Sequence, residues 1–157
     1  QLDRFLMKLI VTYPTKKQEA DVVKMVIKET KLPAVQQLMN AEDILGLQKV
    51  TREIFIEDKI ISYITDLIQA TRDPKAYGLS LDNVIQYGAS PRASISLALV
   101  GRARALMFGR DSVLPEDIKA IAHNVLRHRI IPTYYAEAEG IKTEQIINEI
   151  LTKVKVP

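Results

Sequence analysis

From Thr15 to the C-terminus the apolar residues of this 157-residue chain recur with the helical period, and that rhythm constrains the fold more than any other feature. It is most regular from Pro115 to Leu126. There Ile118, Ile121, Ala122, Val125 and Leu126 stand at i, i+3, i+4, i+7 and i+8 behind an acidic first turn of Glu116 and Asp117. Thr15-Lys16-Lys17-Gln18 is a capping-box pattern, and Val22, Val23, Val26 and Ile27 follow on one face. This predicts a helix over Lys16–Glu29, with Pro33 beyond its end. Asn40 starts a second helix carrying Ile44, Leu47 and Thr51. Glu57-Asp58 opens a third with Ile60, Ile61, Ile64, Leu67 and Ile68, stopped by Asp73-Pro74. A fourth runs from Pro91 to Phe108 on the stripe Ile95, Leu99, Ala103, Leu106, with Gly109 as its stop. Thr143 is expected to cap the last, with Ile146, Ile147, Ile150 and Leu151 inward.

Three segments break the rhythm. Phe5-Leu6-Met7-Lys8-Leu9-Ile10-Val11 is a nearly continuous apolar run closed by Tyr13-Pro14, which reads as one buried strand whose partners the rest of the chain does not supply. Lys75 to Ala89 holds Gly78 and Gly88 without a clear period and reads as a surface loop. Ile130 to Tyr135 is compatible with an extended segment. The expected class is mostly α, a helical bundle preceded by one short β-strand.

Composition excludes several functions. The 22 basic and 19 acidic residues leave a net charge of only +3, a slight excess with no basic block, so nucleic acid is not expected as a partner. With no cysteine and two histidines, His123 and His128, disulfide frameworks, thiol catalysis and common zinc sites fall away. No apolar run suits a membrane span or a signal peptide, and a first residue of Gln1 predicts a piece of something longer.

Two arginines invite a chemical reading. In "YGASPRAS" (Tyr87 to Ser94), Ser90 suits the N-cap and Pro91 the first helical position, but Arg92 places a cation where the helix field disfavours one. Helix-end amides together with a guanidinium can bind an anion such as a phosphate, and the spacing puts Arg92 at the head of the Ile95–Leu106 stripe. An ion pair with an acidic loop residue accounts for the local facts equally well. Arg4, just ahead of the expected strand, reads on its own as a solvated flanking charge.

"QLDRF" (Gln1 to Phe5), "YP" (Tyr13-Pro14), "YGASPRAS", "GRDSVLPEDI" (Gly109 to Ile118), "VLRHRI" (Val125 to Ile130) and "AEGI" (Ala138 to Ile141), in this order, resemble the C-terminal part of a MoxR-family AAA+ ATPase. The resemblance implies three parts. Residues 1–14 would end the nucleotide-binding core, with the arginine-finger segment and last strand. Residues 15–74 would be a helical linker and first lid helices, and 75–157 the helical lid. By the same resemblance Arg4 would be the arginine finger, acting in trans on a neighbouring subunit's nucleotide, and Arg92 the sensor 2 residue, in cis or in trans. A guanidinium suits both roles, because phosphoryl transfer spreads charge over the γ-phosphate oxygens. The implied parent is a cytoplasmic ring, expected to be a hexamer. It would bind ATP and Mg2+ and act as a chaperone-like remodeller or assembly factor for client proteins, among them proteins with von Willebrand factor A domains.

This sequence also departs from what the whole parent needs. The six glycines, at 46, 78, 88, 101, 109 and 140, never form G-x-x-x-x-G-K-[ST], and no acidic magnesium-binding strand is present. The chain alone is therefore expected to be inactive, with no cofactor and no metal site of its own. Leu114 stands where a capping Thr is expected. Arg127, His128 and Arg129 read as cations favoured by a helix C-terminus, Tyr134-Tyr135 as core or packing surface, and Arg102 and Arg104 as lying apart from Arg92. Two alternatives compete: a magnesium-chelatase-like AAA+ subunit, and a helical nucleic-acid- or protein-binding module without ATPase activity that uses "VLRHR" as its contact.

Overall fold

The structure, a computed structural model, describes residues 1–28 and 34–157. The expected helix end at Glu29 and the following Pro33 lie outside the described residues. Among the described residues seven α-helices form: α1 (Lys16–Ile27), α2 (Ala41–Glu53), α3 (Asp58–Arg72), α4 (Pro91–Met107), α5 (Pro115–Leu126), α6 (Tyr134–Ala138) and α7 (Thr143–Lys153). The mostly α class holds.

Helices α3, α4, α5 and α7 share one core, in which Leu67, Leu97, Ile118, Leu126, Ile147 and Ile150 are fully enclosed. The regular stripe of α5 is buried along its whole length. Close approach of α4 to α5 depends on Gly101, where a Cβ would sit 2.9 Å from the Ile118 side chain and 3.3 Å from Val113. Two short strands, β1 (Ile85–Tyr87) and β2 (Ile131–Pro132), pair antiparallel and tie the α3–α4 connection to the end of α5. The Phe55 N–H donates to Asp111 O (2.8 Å) and the Val113 N–H to Phe55 O (3.0 Å), joining the α2–α3 and α4–α5 connections.

Helices α1 and α2 are made differently. Reciprocal capping boxes start both: Thr15 and Gln18 at α1 (Thr15 N to Gln18 Oε1, 2.8 Å), Asn40 and Asp43 at α2 (2.8 and 2.9 Å). Neither buries a residue, so Val22, Val23, Ile44 and Leu47 remain exposed.

Several expectations are corrected. Residues 5–11 form no strand: Leu2–Arg4 is a single 3₁₀ turn, the chain then bends at Phe5 and Leu6 and continues without regular structure, and Leu9, Ile10 and Val11 are exposed. A strand needs a ladder, and beyond the turn bond from Phe5 N to Leu2 O (3.1 Å) the described residues offer these groups one backbone bond, Lys8 N to Asn124 O at 2.8 Å. Lys75–Ala89 is not a plain loop, since it holds a 3₁₀ turn (Pro74–Tyr77) and β1. Within Ile130–Tyr135 only Ile131–Pro132 is strand, and Tyr134 and Tyr135 point to solvent instead of into a core. The division at 74/75 marks no break in packing, because α3 belongs to the same core as α4, α5 and α7. Lys142, not Thr143, is the N-cap residue of α7, its N–H held by the Gln145 side chain at 2.7 Å.

The α4 stripe is the largest revision. Its buried face is Ala93, Ser96, Leu97, Gly101 and Ala105, while Ile95 is 60% and Leu99 47% exposed. Small side chains let two helix backbones close in, and that packing wins over the burial of two larger ones. Arg92 therefore heads an exposed face, not the packed one.

Candidate functional site

Where α4 begins is fixed by the end of α3. The Thr71 hydroxyl accepts the Ala89 N–H (2.9 Å) and donates to Ile68 O (2.7 Å), and Arg72 Nε donates to Ala89 O (2.7 Å). A Cβ on Gly88 would collide with the Thr71 carbonyl and come within 2.9 Å of the Arg72 side chain, so only glycine fits there. Ala89 is completely buried by this arrangement, and Ser90 and Pro91 emerge from it in a fixed direction.

Ser90 caps α4 as expected. Its Oγ accepts the Arg92 N–H (3.2 Å), and its carbonyl accepts the Ala93 N–H (2.9 Å), so the first amides of the helix are already bonded. The Ser90 hydroxyl donates to both carboxylate oxygens of Asp3 (3.0 and 2.9 Å). That carboxylate stands at the helix N-terminus, where its charge is favourable. Arg92 approaches the same group only loosely, with its Nε 3.9 Å from Asp3 Oδ2 and its side chain 59% exposed. An exposed pair of this length contributes about 0–1 kcal/mol and does not fix the guanidinium.

Arg4 and Arg92, 88 positions apart in sequence, line the same shallow cleft of about 180 Å³ together with Asp3, Leu6, Ile95, Ser96 and Arg129. Arg4 is exposed and enters no ion pair among the described residues. Leu6 and Ile95 line the cleft with exposed apolar surface, and Phe5, next to Arg4, and Leu99, one turn beyond Ile95 on α4, are exposed as well. Two guanidinium groups thus border one opening, framed by apolar side chains.

The segment carrying Arg4 is held by the three residues that sequence reasoning assigned to a helix dipole. Arg129 is buried, and every N–H of its guanidinium has an acceptor. Nε donates to Asp3 Oδ1 (3.2 Å), and Nη1 to Val125 O (2.6 Å) and Leu6 O (3.3 Å). Nη2 faces Phe5 O (2.6 Å), Ser96 Oγ (3.0 Å) and Asp3 O (3.3 Å). Burial pulls its pKa down, while the Asp3 carboxylate opposes that shift. Arg127 Nη1 donates to Lys8 O (3.2 Å), and its Nε lies 3.5 Å from Glu144 Oε1. His128 Nε2 is 3.0 Å from Phe5 O, which makes Nε2 the protonated nitrogen of the neutral ring. Its Nδ1 is buried without a hydrogen-bond partner among the described residues, and burial lowers its pKa. Nothing in the sequence linked "VLRHRI" to "QLDRF" beyond their joint membership of one motif set.

A second arginine cluster lies at the start of α5. Arg110 donates to buried Asp117 in bidentate fashion (2.7 and 2.6 Å), Arg104 Nε is 3.3 Å away, and the Leu114 N–H donates to Asp117 Oδ2 (2.9 Å). Burial alone would raise the Asp117 pKa, but these hydrogen bonds and charges together hold it below the ordinary value. Asp117 thus supplies the capping interaction that Leu114 cannot. Arg104 also stacks on Phe108 (4.6 Å to the ring centre) and stays apart from Arg92.

Among the described residues no three His, Cys, Asp or Glu side chains converge as metal ligands, and no helix is long and apolar enough to cross a membrane.

Comparison with known proteins agrees with this architecture. Residues 81–150 match the family model described as AAA lid domain. Chaperone MoxR1 of Mycobacterium tuberculosis is 35% identical over 159 residues, covering 100% of this chain and 41% of the relative. The uncharacterized protein YeaC of Bacillus subtilis is 37% identical over 157 residues, covering 100% of this chain and 47% of that protein. A crystal structure named as that of a putative ATPase from Cytophaga hutchinsonii superposes with a TM-score of 0.92 at 43% identity, covering 99% of this chain and 48% of that one. The chain spans less than half the length of each of these proteins. It belongs to the MoxR family of AAA+ proteins, and residues 81–150 are its AAA lid domain.

Proposed function

We propose that this chain is the lid portion of an ATP-hydrolysing AAA+ ring and that Arg4 and Arg92 act on one nucleotide, Arg4 as arginine finger and Arg92 as sensor 2. The observation that carries the reading is their convergence on a single cleft with both guanidinium groups exposed. The exposed apolar surface of Phe5, Leu6, Ile95 and Leu99 supports a neighbouring subunit as the other wall. In a ring so built, both arginines of one subunit serve the nucleotide of the next.

The chemistry follows from the groups present. Bound ATP with Mg2+ supplies a γ-phosphoryl group whose transfer develops charge on its equatorial oxygens. Arg4 meets that charge with a fork of donors that lysine lacks, and Arg92 couples the phosphate to the rigidly held start of α4. On this reading the Mg2+ site and the phosphate-cradling loop, whose G-x-x-x-x-G-K-[ST] pattern this sequence lacks, come from the rest of a longer, cytoplasmic parent, and this chain alone is read as inactive. The parent is read as a hexameric remodeller or assembly factor, with von Willebrand factor A domain proteins among its clients.

The nucleic-acid alternative loses its contact surface, because the Arg129 side chain is 1% and the Arg127 side chain 12% exposed and both are spent on internal acceptors. In the full-length protein, Arg4→Ala is expected to lower kcat for ATP by about 10³-fold or more while ATP affinity stays nearly unchanged. Turnover and equilibrium nucleotide binding measured together check this. Unaltered turnover removes Arg4 from the mechanism.

A further inference from the structure

Among the described residues the Arg4 side chain enters no hydrogen bond or ion pair that would orient it, yet the residues on both sides of it are tightly held. The carbonyls of Asp3, Phe5, Leu6 and Lys8 all accept from Arg127, His128 or Arg129, and the Lys8 N–H donates to Asn124 O. The Asp3 carboxylate then joins Arg129 to Ser90, the cap of the helix that carries Arg92. A segment with no ladder of its own is thereby anchored by side chains of the lid. From this we infer that Asp3 and Arg129 are positioning residues for Arg4: they fasten the finger segment to the lid, so that the arginines at 4 and 92 move as one piece. The inference rests on the reading of Arg4 as the finger.

Burial argues that the fastening is durable. Arg129 is enclosed, and an enclosed guanidinium that lost the 3–8 segment would leave several donors unsatisfied, so the segment cannot leave without a penalty. Asp3, in contrast, is partly exposed, and its removal takes the Nε acceptor from Arg129 but leaves Nη1 and Nη2 on backbone carbonyls and Ser96. Asp3→Ala is therefore the variant that loosens the connection without unfolding the lid. Arg129→Lys keeps the charge but not the planar fork and is the stronger perturbation.

Both variants, made in the full-length protein, are read by hydrogen exchange of the peptide spanning residues 1–11 and by steady-state ATP turnover. Exchange in that peptide is expected to speed up about tenfold in Asp3→Ala and further in Arg129→Lys, while peptides from α5 and α7 keep their protection. Turnover at saturating ATP should fall about tenfold in Asp3→Ala with KM for ATP within about twofold of the parent, the signature of a misplaced transition-state group. Unchanged exchange of residues 1–11 in both variants would overturn the fastening. Faster exchange with undiminished kcat would overturn the positioning role. An Arg4→Ala control separates the two readings: if its turnover is normal the finger assignment fails, whatever the exchange experiment reports.

Discussion

Of the carboxylates at helix N-termini among the described residues, Asp117 and Asp3 each face two arginines, yet they do opposite things with them. Asp117 is buried, takes both arms of Arg110, and also receives Arg104 and the Leu114 N–H. Asp3 is partly exposed, bonds Ser90 and Arg129, and leaves Arg92 at 3.9 Å with most of its side chain in solvent. The first arrangement uses up its arginines to hold a helix start. The second spends one arginine on anchoring and keeps the other available.

That contrast can be broken most forcefully at Asp117. Asp117→Ala leaves two part-buried guanidinium groups and one amide without their partner, so a loss of about 3–5 kcal/mol is expected in urea unfolding. A loss below about 1 kcal/mol would mean that the cluster is no stronger than a surface pair. Gly88→Ala comes next. Its Cβ meets the Thr71 carbonyl, and the expected cost is about 1–3 kcal/mol, with α4 displaced at its start.

Acid sharpens the comparison in two separate windows. The Asp117 pKa is lowered from 3.8, so its contribution is complete above about pH 4 and is lost as pH falls through the lowered value. His128, whose pKa burial lowers from 6.5, binds a proton less readily in the folded than in the unfolded state. Stability should therefore decline gradually as pH drops below about 6.5, and His128→Gln should remove that slope while leaving the one below pH 4. The smallest effect belongs to Arg92→Ala, whose unfolding free energy should stay within about 0.5 kcal/mol of the parent.

What the sequence made legible follows from which forces are local. Capping boxes at Thr15 and Asn40 and the stripe of α5 depend on residues three or four apart, and the structure has them where the spacing put them. The buried face of α4 carries no such local signal, because the large apolar residues Ile95 and Leu99 lie on the other face and Ala93, Gly101 and Ala105 are buried for their smallness. The anchoring by Arg127, His128 and Arg129 was invisible, since it joins side chains to backbone carbonyls more than a hundred residues away, and a carbonyl carries no sequence signature. The run Phe5–Val11 has strand composition, but a ladder depends on partners and not on composition. Of the candidate site, the motif order pointed to Arg4 and Arg92, and only the fold brought them to one cleft.

The division between a structural and an available arginine is tested most directly by Arg92→Ala and Arg110→Ala in the full-length protein, each assayed for ATP turnover and for urea unfolding. Arg92→Ala should lose turnover with its unfolding midpoint unchanged, and Arg110→Ala should lower the midpoint. An Arg92→Ala protein that is destabilised but turns over ATP normally would contradict the division and make Arg92 a structural partner of Asp3.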